Sequence, residues 1–369
     1  MSSSGWPASI IVAGIRGQAS AHRLDARRPG PYRSAALEPE PTTQDMPRVL
    51  YADHDYSDID LERALFEGAG VELFAAQCRT EEEVAAAASG CVGILSQYAP
   101  VGEKVIAAVP TLGIVSRIGA GYDNVDTAAC ERHGVWVANS PDYGIGEVAT
   151  HALALALALV RNVVAYHRDI QAGEWHYLSS GPLRRASEMT LGIIGLGRIG
   201  KRMAHVSRNV FRRIAAFDPY LIDGDFPAYV ERARELPGLL AASDVVSIHA
   251  PLTEETRGMI DAKALAQMRS GSFLVNTARG AIVDIGDLLA ALDSGILGGA
   301  GLDVLPVEPV PAGHRLLGHP KVILTPHAAF FSVQSEVDLR RKAARNIVTW
   351  LATGRPDYVV VRGTRKPHP

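Results

Sequence analysis

A chain of 369 residues, 47% hydrophobic and 21% charged, is long enough for two domains that each bury a core, and its composition is that of an ordinary globular protein. Its formal net charge of -3 excludes a general pull towards nucleic acid or an anionic membrane surface, so any anionic ligand has to be held by local groups. Three widely spaced cysteines, Cys78, Cys91 and Cys130, give neither a disulfide framework nor a metal-ligand spacing, which predicts a reducing cytoplasm and no metal site. Residues 1–45 lack periodicity and are rich in breakers, as in Arg27-Arg28-Pro29-Gly30-Pro31 and Glu38-Pro39-Glu40-Pro41. They are read as a disordered extension, as upstream sequence included by an early start codon, or as a transit peptide whose arginines are interrupted by acids. Their removal is expected to leave folding and function intact, with the folded chain beginning at Met46.

From Met46 short apolar runs at Val49 to Ala52, Val71 to Ala75, Val92 to Leu95, Gly113 to Ser116 and Val135 to Ala138 alternate with helical stretches such as Ile59 to Gly68 and Glu81 to Ala88. This alternation predicts parallel strands joined by helical crossovers, hence a small doubly wound α/β domain. A long apolar helix is predicted from Gly146 or Glu147 to about His167, at the interface between two domains. Its most apolar part, Ala152 to Val160, is far shorter than the roughly 20 residues a membrane helix needs. A loop from Gly173 to Glu188 carries Trp175, His176 and Tyr177.

The stretch Thr190 to Asp218 then reads strand, glycine turn, helix, strand, acid. Leu191-Gly192-Ile193-Ile194 leads into Gly195-Leu196-Gly197-Arg198-Ile199-Gly200, and the next strand, Ile214 to Phe217, ends on Asp218. Gly195 suits the tight turn, Gly197 the approach of a pyrophosphate to a helix N-terminus, and Gly200 close helix–strand packing. Asp218 stands at about the 20-residue spacing expected of a ribose-binding carboxylate, and with no arginine at Pro219 or Tyr220 it favours NAD over NADP. Further strands are expected at Val245 to Ile248, Phe273 to Asn276, Gly301 to Val304 and Val322 to Leu324, with helices at Asp261 to Met268 and Ile285 to Ser294. A last helix, Val333 to Ala352, has one buried face and most simply returns to the first domain. The basic tail Arg362 to Pro369 is expected to fray.

Three later segments carry chemistry. Arg279 follows a buried strand, where open α/β sheets bind ligands, and its planar fork suits a carboxylate. Glu308 and His327 follow the next two strands, and together they read as a pair in which the carboxylate orients the imidazole and favours its charged form for proton delivery.

The segments GLGRIG, NTARGAIVD, LDVLPVEP and TPHAAF, preceded by Arg117-Ile118-Gly119-Ala120-Gly121-Tyr122-Asp123-Asn124-Val125-Asp126, resemble the D-isomer-specific 2-hydroxyacid dehydrogenase family from Met46 to about Ala352. Pro141-Asp142-Tyr143-Gly144 and His327-Ala328-Ala329-Phe330-Phe331-Ser332 are most similar to its branch that includes the C-terminal binding proteins. The resemblance implies two doubly wound parallel-sheet domains. A flavodoxin-like substrate domain would comprise residues 46–146 and 328–361, with an inserted Rossmann NAD domain at 147–327 and a tail at 362–369.

The same resemblance assigns Arg279 to the substrate carboxylate and carbonyl, His327 to proton transfer and Glu308 to orienting it. It places Arg198 and Ile199 against the pyrophosphate and Asp218 on the ribose, with Ala250 and Pro251 in a cofactor-lining turn. Thr277, Ala278 and Asp303 fall towards the nicotinamide end. Ala120 and Gly121 match a loop whose amides face the substrate carboxylate, and Tyr98, with Gln97, Ala99, Tyr122 and the Trp175 loop, is expected to shape the substrate pocket.

Implied too are a two-fold homodimer through the 147–167 helix and the 173–188 loop, a small 2-oxo or 2-hydroxy acid as partner, and neither nucleic acid nor membrane. Formate is disfavoured because formate-oxidising members carry Gln where Glu308 stands, and the regulatory domain of many phosphoglycerate dehydrogenases is not expected. An NAD-responsive binding protein is the alternative function, but the joint presence of Arg279, Glu308 and His327 favours catalysis.

Overall fold

A computed structural model describes residues 46–367, and the expectation for residues 1–45 falls outside that range. The first segment alternates strictly: β1 (Arg48–Tyr51), α1 (Asp60–Glu67), β2 (Glu72–Ala75), α2 (Glu81–Ala87), β3 (Gly93–Ser96), α3 (Glu103–Ala108), β4 (Ile114–Arg117), α4 (Thr127–His133) and β5 (Trp136–Ala138). Local signals set several boundaries. The Thr80 hydroxyl accepts from the Glu83 N–H in a capping box that starts α2, Asp126 accepts from the Ala129 N–H at the start of α4, and Gly134 at φ 70° stops that helix. The strands pair in parallel in the order β2-β1-β3-β4-β5. They are apolar on both faces, as a sheet covered by helices on both sides requires. Leu50, Ile94 and Val115 face one core, and Val49, Leu95 and Ile114 face the other.

The helix predicted as continuous to about His167 is two helices, α5 (Ile145–Val160) and α6 (Val163–Gln171), bent by 57°. Asn162 makes the break, at φ 50°, a left-handed backbone that Asn tolerates better than most residues. Among the described residues no single helix is long and apolar enough to cross a membrane. Ala149, Ala152 and Ala156 are fully buried, and α5 lies directly on the second sheet. A Cβ on Gly301 would meet Leu155 Cβ at 3.0 Å, and one on Gly299 would meet Leu159 Cδ2 at 2.9 Å, so the glycines of that sheet admit the helix.

The second sheet contains β6 (Thr190–Ile194), β7 (Arg213–Phe217), β8 (Glu231–Arg232), β9 (Val245–Ile248), β10 (Ser272–Asn276), β11 (Leu297–Leu302) and β12 (Val322–Leu324). Its helices are α7 (Arg198–Ser207), α8 (Leu236–Ala242), α9 (Ala262–Gln267) and α10 (Ile285–Asp293). All pairs are parallel, in the order β12-β11-β10-β9-β6-β7-β8. The direction of winding reverses between β6 and β9, which opens a ligand crevice beyond their carboxyl ends.

The chain then returns to the first sheet. The helix α11 (Val333–Thr353), capped by Ser332 and ended by Gly354 at φ 78°, packs Leu339, Ala343, Ile347 and Trp350 against it. Gly113 makes room for the indole, since a Cβ there would lie 2.2 Å from the Trp350 ring. The last strand, β13 (Val359–Val361), adds antiparallel to β5.

The expectation that the tail frays is corrected for residues 362–367. The Arg365 side chain donates to the carbonyls of His133, Pro110 and Leu112, and its own carbonyl accepts from the Trp136 indole. Charge-assisted bonds to three otherwise unpaired carbonyls outweigh the freedom of a short terminal segment.

Candidate active site

The glycine turn between β6 and α7 has the geometry its spacing predicts. Gly195 is at φ 86°, and a Cβ on it would lie 2.7 Å from the Ala250 nitrogen; one on Gly200 would lie 2.1 Å from the Gly195 oxygen. A Cβ on Gly197 would meet nothing within 4 Å. Open space therefore lies at the N-terminus of α7, where backbone N–H groups and the helix dipole favour a diphosphate. Arg198 is exposed beside it. At the end of β7 the Asp218 carboxylate accepts from the Leu196 and Tyr220 N–H groups at 2.9 and 3.1 Å, which ties the acid to the turn.

Between the carboxyl ends of the two sheets is a cleft of about 350 Å³. Of the residues singled out from sequence it brings together Ala120, Gly121, Ile199, Ala250, Pro251, Thr277, Ala278, Arg279, Asp303 and His327. Tyr98 is not among the residues that line this cleft. Its N–H donates to Asp53 and its hydroxyl to Asp55, and these bonds hold it at a separate cavity lined also by Gln77 and Cys78.

On the second sheet's side of the cleft two buried atoms of the described residues have no partner, Thr277 Oγ1 and His249 Nδ1, and on the first sheet's side Arg117 Nε has none either. His249 bonds Ser247 through Nε2, and burial pushes its pKa down to about 4, so the imidazole is neutral at physiological pH. Orphaned buried polar groups are costly, and the two atoms fit the polar groups of a nucleotide laid along the turn.

The titratable groups meet on the opposite wall. His327 Nδ1 is 2.7 Å from Glu308 Oε2, and Glu308 Oε1 accepts from the Leu305 N–H, which leaves His327 Nε2 free. His327 is at φ 53°, held there from beneath by Asp303. That buried carboxylate accepts from Thr325 Oγ1 at 2.6 Å and from the Ala328 and Ala329 N–H groups, both at 2.9 Å, while its carbonyl receives the His327 N–H. Asp303 lines the cleft, but its oxygens fasten the histidine loop. Arg279 donates through Nε to Asp123 at 3.1 Å and through Nη1 to the Ala278 carbonyl, while Nη2 lies over Gly121.

Burial acts to raise the Glu308 carboxyl, but the hydrogen bonds from His327 and Leu305, with the charges of His327 and Arg279, outweigh it and hold the group below its ordinary range. A carboxyl depressed in the fold contributes stability above its unfolded pKa and loses it as pH falls through the lower folded value. The difference in Tm between the wild type and Glu308→Gln is therefore expected to shrink below about pH 4.3. Thermal unfolding across pH checks this, and a difference that grows on acidification would contradict it.

Sequence reasoning assigned no role to Asp123, the partner of Arg279, or to Arg117, which also lines the cleft. Both stand in the stretch Arg117 to Asp126, and their only signal was charge beside paired glycines.

A glycine turn at a helix N-terminus, with an arginine and a histidine–glutamate pair at the same cleft, has the outline of a nicotinamide-dependent oxidoreductase. Residues 153–329 match the family model described as D-isomer specific 2-hydroxyacid dehydrogenase, NAD binding domain. The chain is 33% identical over 288 residues to the glycerate dehydrogenase of Methylorubrum extorquens, covering 76% of this chain and 89% of that protein. It is also 33% identical over 259 residues to the D-3-phosphoglycerate dehydrogenase of Bacillus subtilis, but spans only about half of it, 48%, with 69% of its own length. A crystal structure of an NADPH-dependent glyoxylate/hydroxypyruvate reductase from Sinorhizobium meliloti superposes with a TM-score of 0.77 at 28% identity, covering 87% of this chain and 99% of that one. The chain belongs to the D-isomer-specific 2-hydroxyacid dehydrogenase family.

Proposed function

We propose that this chain reduces a 2-oxo acid to the D-2-hydroxy acid with NADH, or runs the reverse reaction with NAD. The observation that carries the reading is the convergence of Arg279 and the His327–Glu308 pair on the cleft beside the glycine turn. Gly195, Gly197, Gly200 and Asp218 would hold the dinucleotide, and Thr277 and His249 would bond it further along. NADH, when bound, supplies the hydride.

The chain's own residues do the rest. Asp123 fixes Arg279 through Nε, so the guanidinium's outer edge is presented to the substrate carboxylate, with the Ala120 and Gly121 backbone alongside. Glu308 holds His327 through Nδ1, so Nε2 delivers a proton to the carbonyl oxygen as negative charge develops there. Asp303 keeps the loop that carries the histidine in its left-handed turn. NADH oxidation assayed with glyoxylate, pyruvate, hydroxypyruvate and bulkier 2-oxo acids tests the reading. Turnover with at least one supports it; tight NADH binding with no turnover on any would overturn it in favour of an NAD-responsive binding protein.

The protein is further inferred to be a homodimer. Tyr166 donates to the Tyr177 carbonyl and Ser179 to Asp169, so the loop after α6 is fastened to that helix. Yet Trp175 is 86% and Tyr177 77% exposed on that loop, and Val163 and Ile170 are exposed on the helix. An apolar patch held in one shape fits a second copy of the chain. Light scattering at micromolar concentration is expected to give twice the chain mass, and a monomer would refute the assignment. The three cysteines are buried and unpaired, which fits a reducing compartment such as the cytoplasm.

A further inference from the structure

Arg117 has no part in the reaction outlined above, although it is the last residue of β4 and lines the same cleft as Arg279. Its Nε is buried without a hydrogen-bond partner, and among the described residues no carboxylate is within ion-pair distance of it. Arg279, by contrast, has Asp123. Burial first, and then the charge of Arg279, push the Arg117 pKa down, but a guanidinium stays protonated at neutral pH. The substrate half of the cleft thus contains a half-buried cation with no bonded partner, opposed only from a distance by Asp123, which is itself bonded to Arg279, and such an arrangement is costly unless an anion completes it.

The stretch Arg117-Ile118-Gly119-Ala120-Gly121 is built to place this charge. A Cβ on Gly119, at φ 154°, would fall 1.1 Å from Arg117 Nη1, and a Cβ on Gly121 would fall 1.4 Å from Arg279 Nη2. Both guanidinium groups therefore rest on one glycine strip, over residues two apart and separated by at most about 7 Å of chain. That spacing suits two anionic groups a few bonds apart on one small molecule.

We propose that Arg117 binds a second carboxylate of the substrate, so that the preferred substrates are 2-oxo dicarboxylic acids of four or five carbons. This deepens, and rests on, the reading of the cleft as a 2-oxo acid reductase. A carboxylate is favoured over a phosphate by charge. With Asp123 close by, the two guanidinium groups leave only a small positive excess, which tolerates a second group of single negative charge better than a phosphate monoester carrying about 1.5 to 2 at neutral pH.

The test compares kcat/KM for chain-matched pairs, 2-oxoglutarate against 2-oxopentanoate and oxaloacetate against 2-oxobutyrate, with 2-oxo-3-phosphohydroxypropanoate as a third arm. The wild type is expected to prefer the dicarboxylate by about tenfold or more, the value of one charge-assisted bond. In Arg117→Gln the dicarboxylate values should fall about tenfold further than the monocarboxylate values, and Arg117→Lys should keep part of the preference. NADH binding followed by fluorescence reports that each variant is folded. An equal loss for both members of each pair would mean that the two arginines grip a single carboxylate. That result, a monocarboxylate preference in the wild type, or a preference for the phosphorylated acid would each overturn the assignment alone. No turnover of any of these acids by the wild type would overturn the assignment and the reductase reading together.

Discussion

His327→Ala is expected to lower kcat by at least about 100-fold, the lower range for general acid catalysis, with NADH binding little changed. His327 is the one group in the cleft with a free ring nitrogen backed by a carboxylate, since Nδ1 is taken by Glu308 at 2.7 Å. His249 cannot replace it, because burial keeps that imidazole neutral down to about pH 4. The left-handed backbone at position 327 disfavours most side chains, so His327→Asn, a residue that tolerates this conformation, is the companion variant. Both should lose turnover alike. Near-normal kcat in either, measured at saturating substrate, would remove His327 from the reaction.

The second large effect is expected at Arg279. Replacing it with Gln should reduce kcat/KM by about 100-fold, because the substrate carboxylate loses a charged, bidentate partner in a half-enclosed cleft. The loss should fall on KM as well as kcat, since the carboxylate is bound in ground state and transition state alike. Arg279→Lys is expected to recover only part of the activity. A lysine retains the charge, but it has no Nε to be steadied by Asp123, the bond that aims the guanidinium. Steady-state kinetics on all three forms decides this, and an Arg279→Gln enzyme with unaltered KM and kcat would show that the carboxylate binds elsewhere.

What was legible in the sequence follows from physics. Strands of a sheet covered on both faces are continuous apolar runs, so β1, β3, β4, β9 and β10 were located within a residue or two. The glycine turn was legible because each glycine answers a separate steric demand, and the order of Arg279, Glu308 and His327 after successive strands placed them at one edge. The short helices α3, α4 and α8 have too few turns for a periodic signal, and the break at Asn162 is a single backbone choice inside an otherwise helical run. The pairing of Arg279 with Asp123 joins residues 156 positions apart and depends on how the two sheets face each other. The bonds that place Tyr98 at a separate cavity were not legible, because Asp53 and Asp55 lie more than 40 residues upstream. Family resemblance placed Asp303 towards the nicotinamide end, and it does line the cleft, but its bonds to Thr325, Ala328 and Ala329 depend on hydroxyl and backbone N–H groups that sequence does not aim.

One cleft is inferred to bring the nicotinamide of a cofactor anchored at the glycine turn together with a proton site at His327. The most direct test of this inference is to run the reaction with NADH deuterated on the transferred hydrogen and a 2-oxo acid that is turned over, and to analyse the product for label and configuration. Deuterium is expected on C2 of a D-2-hydroxy acid, with the hydroxyl proton drawn through His327 from solvent. Product without deuterium at C2, or product of the L configuration, would contradict the inference.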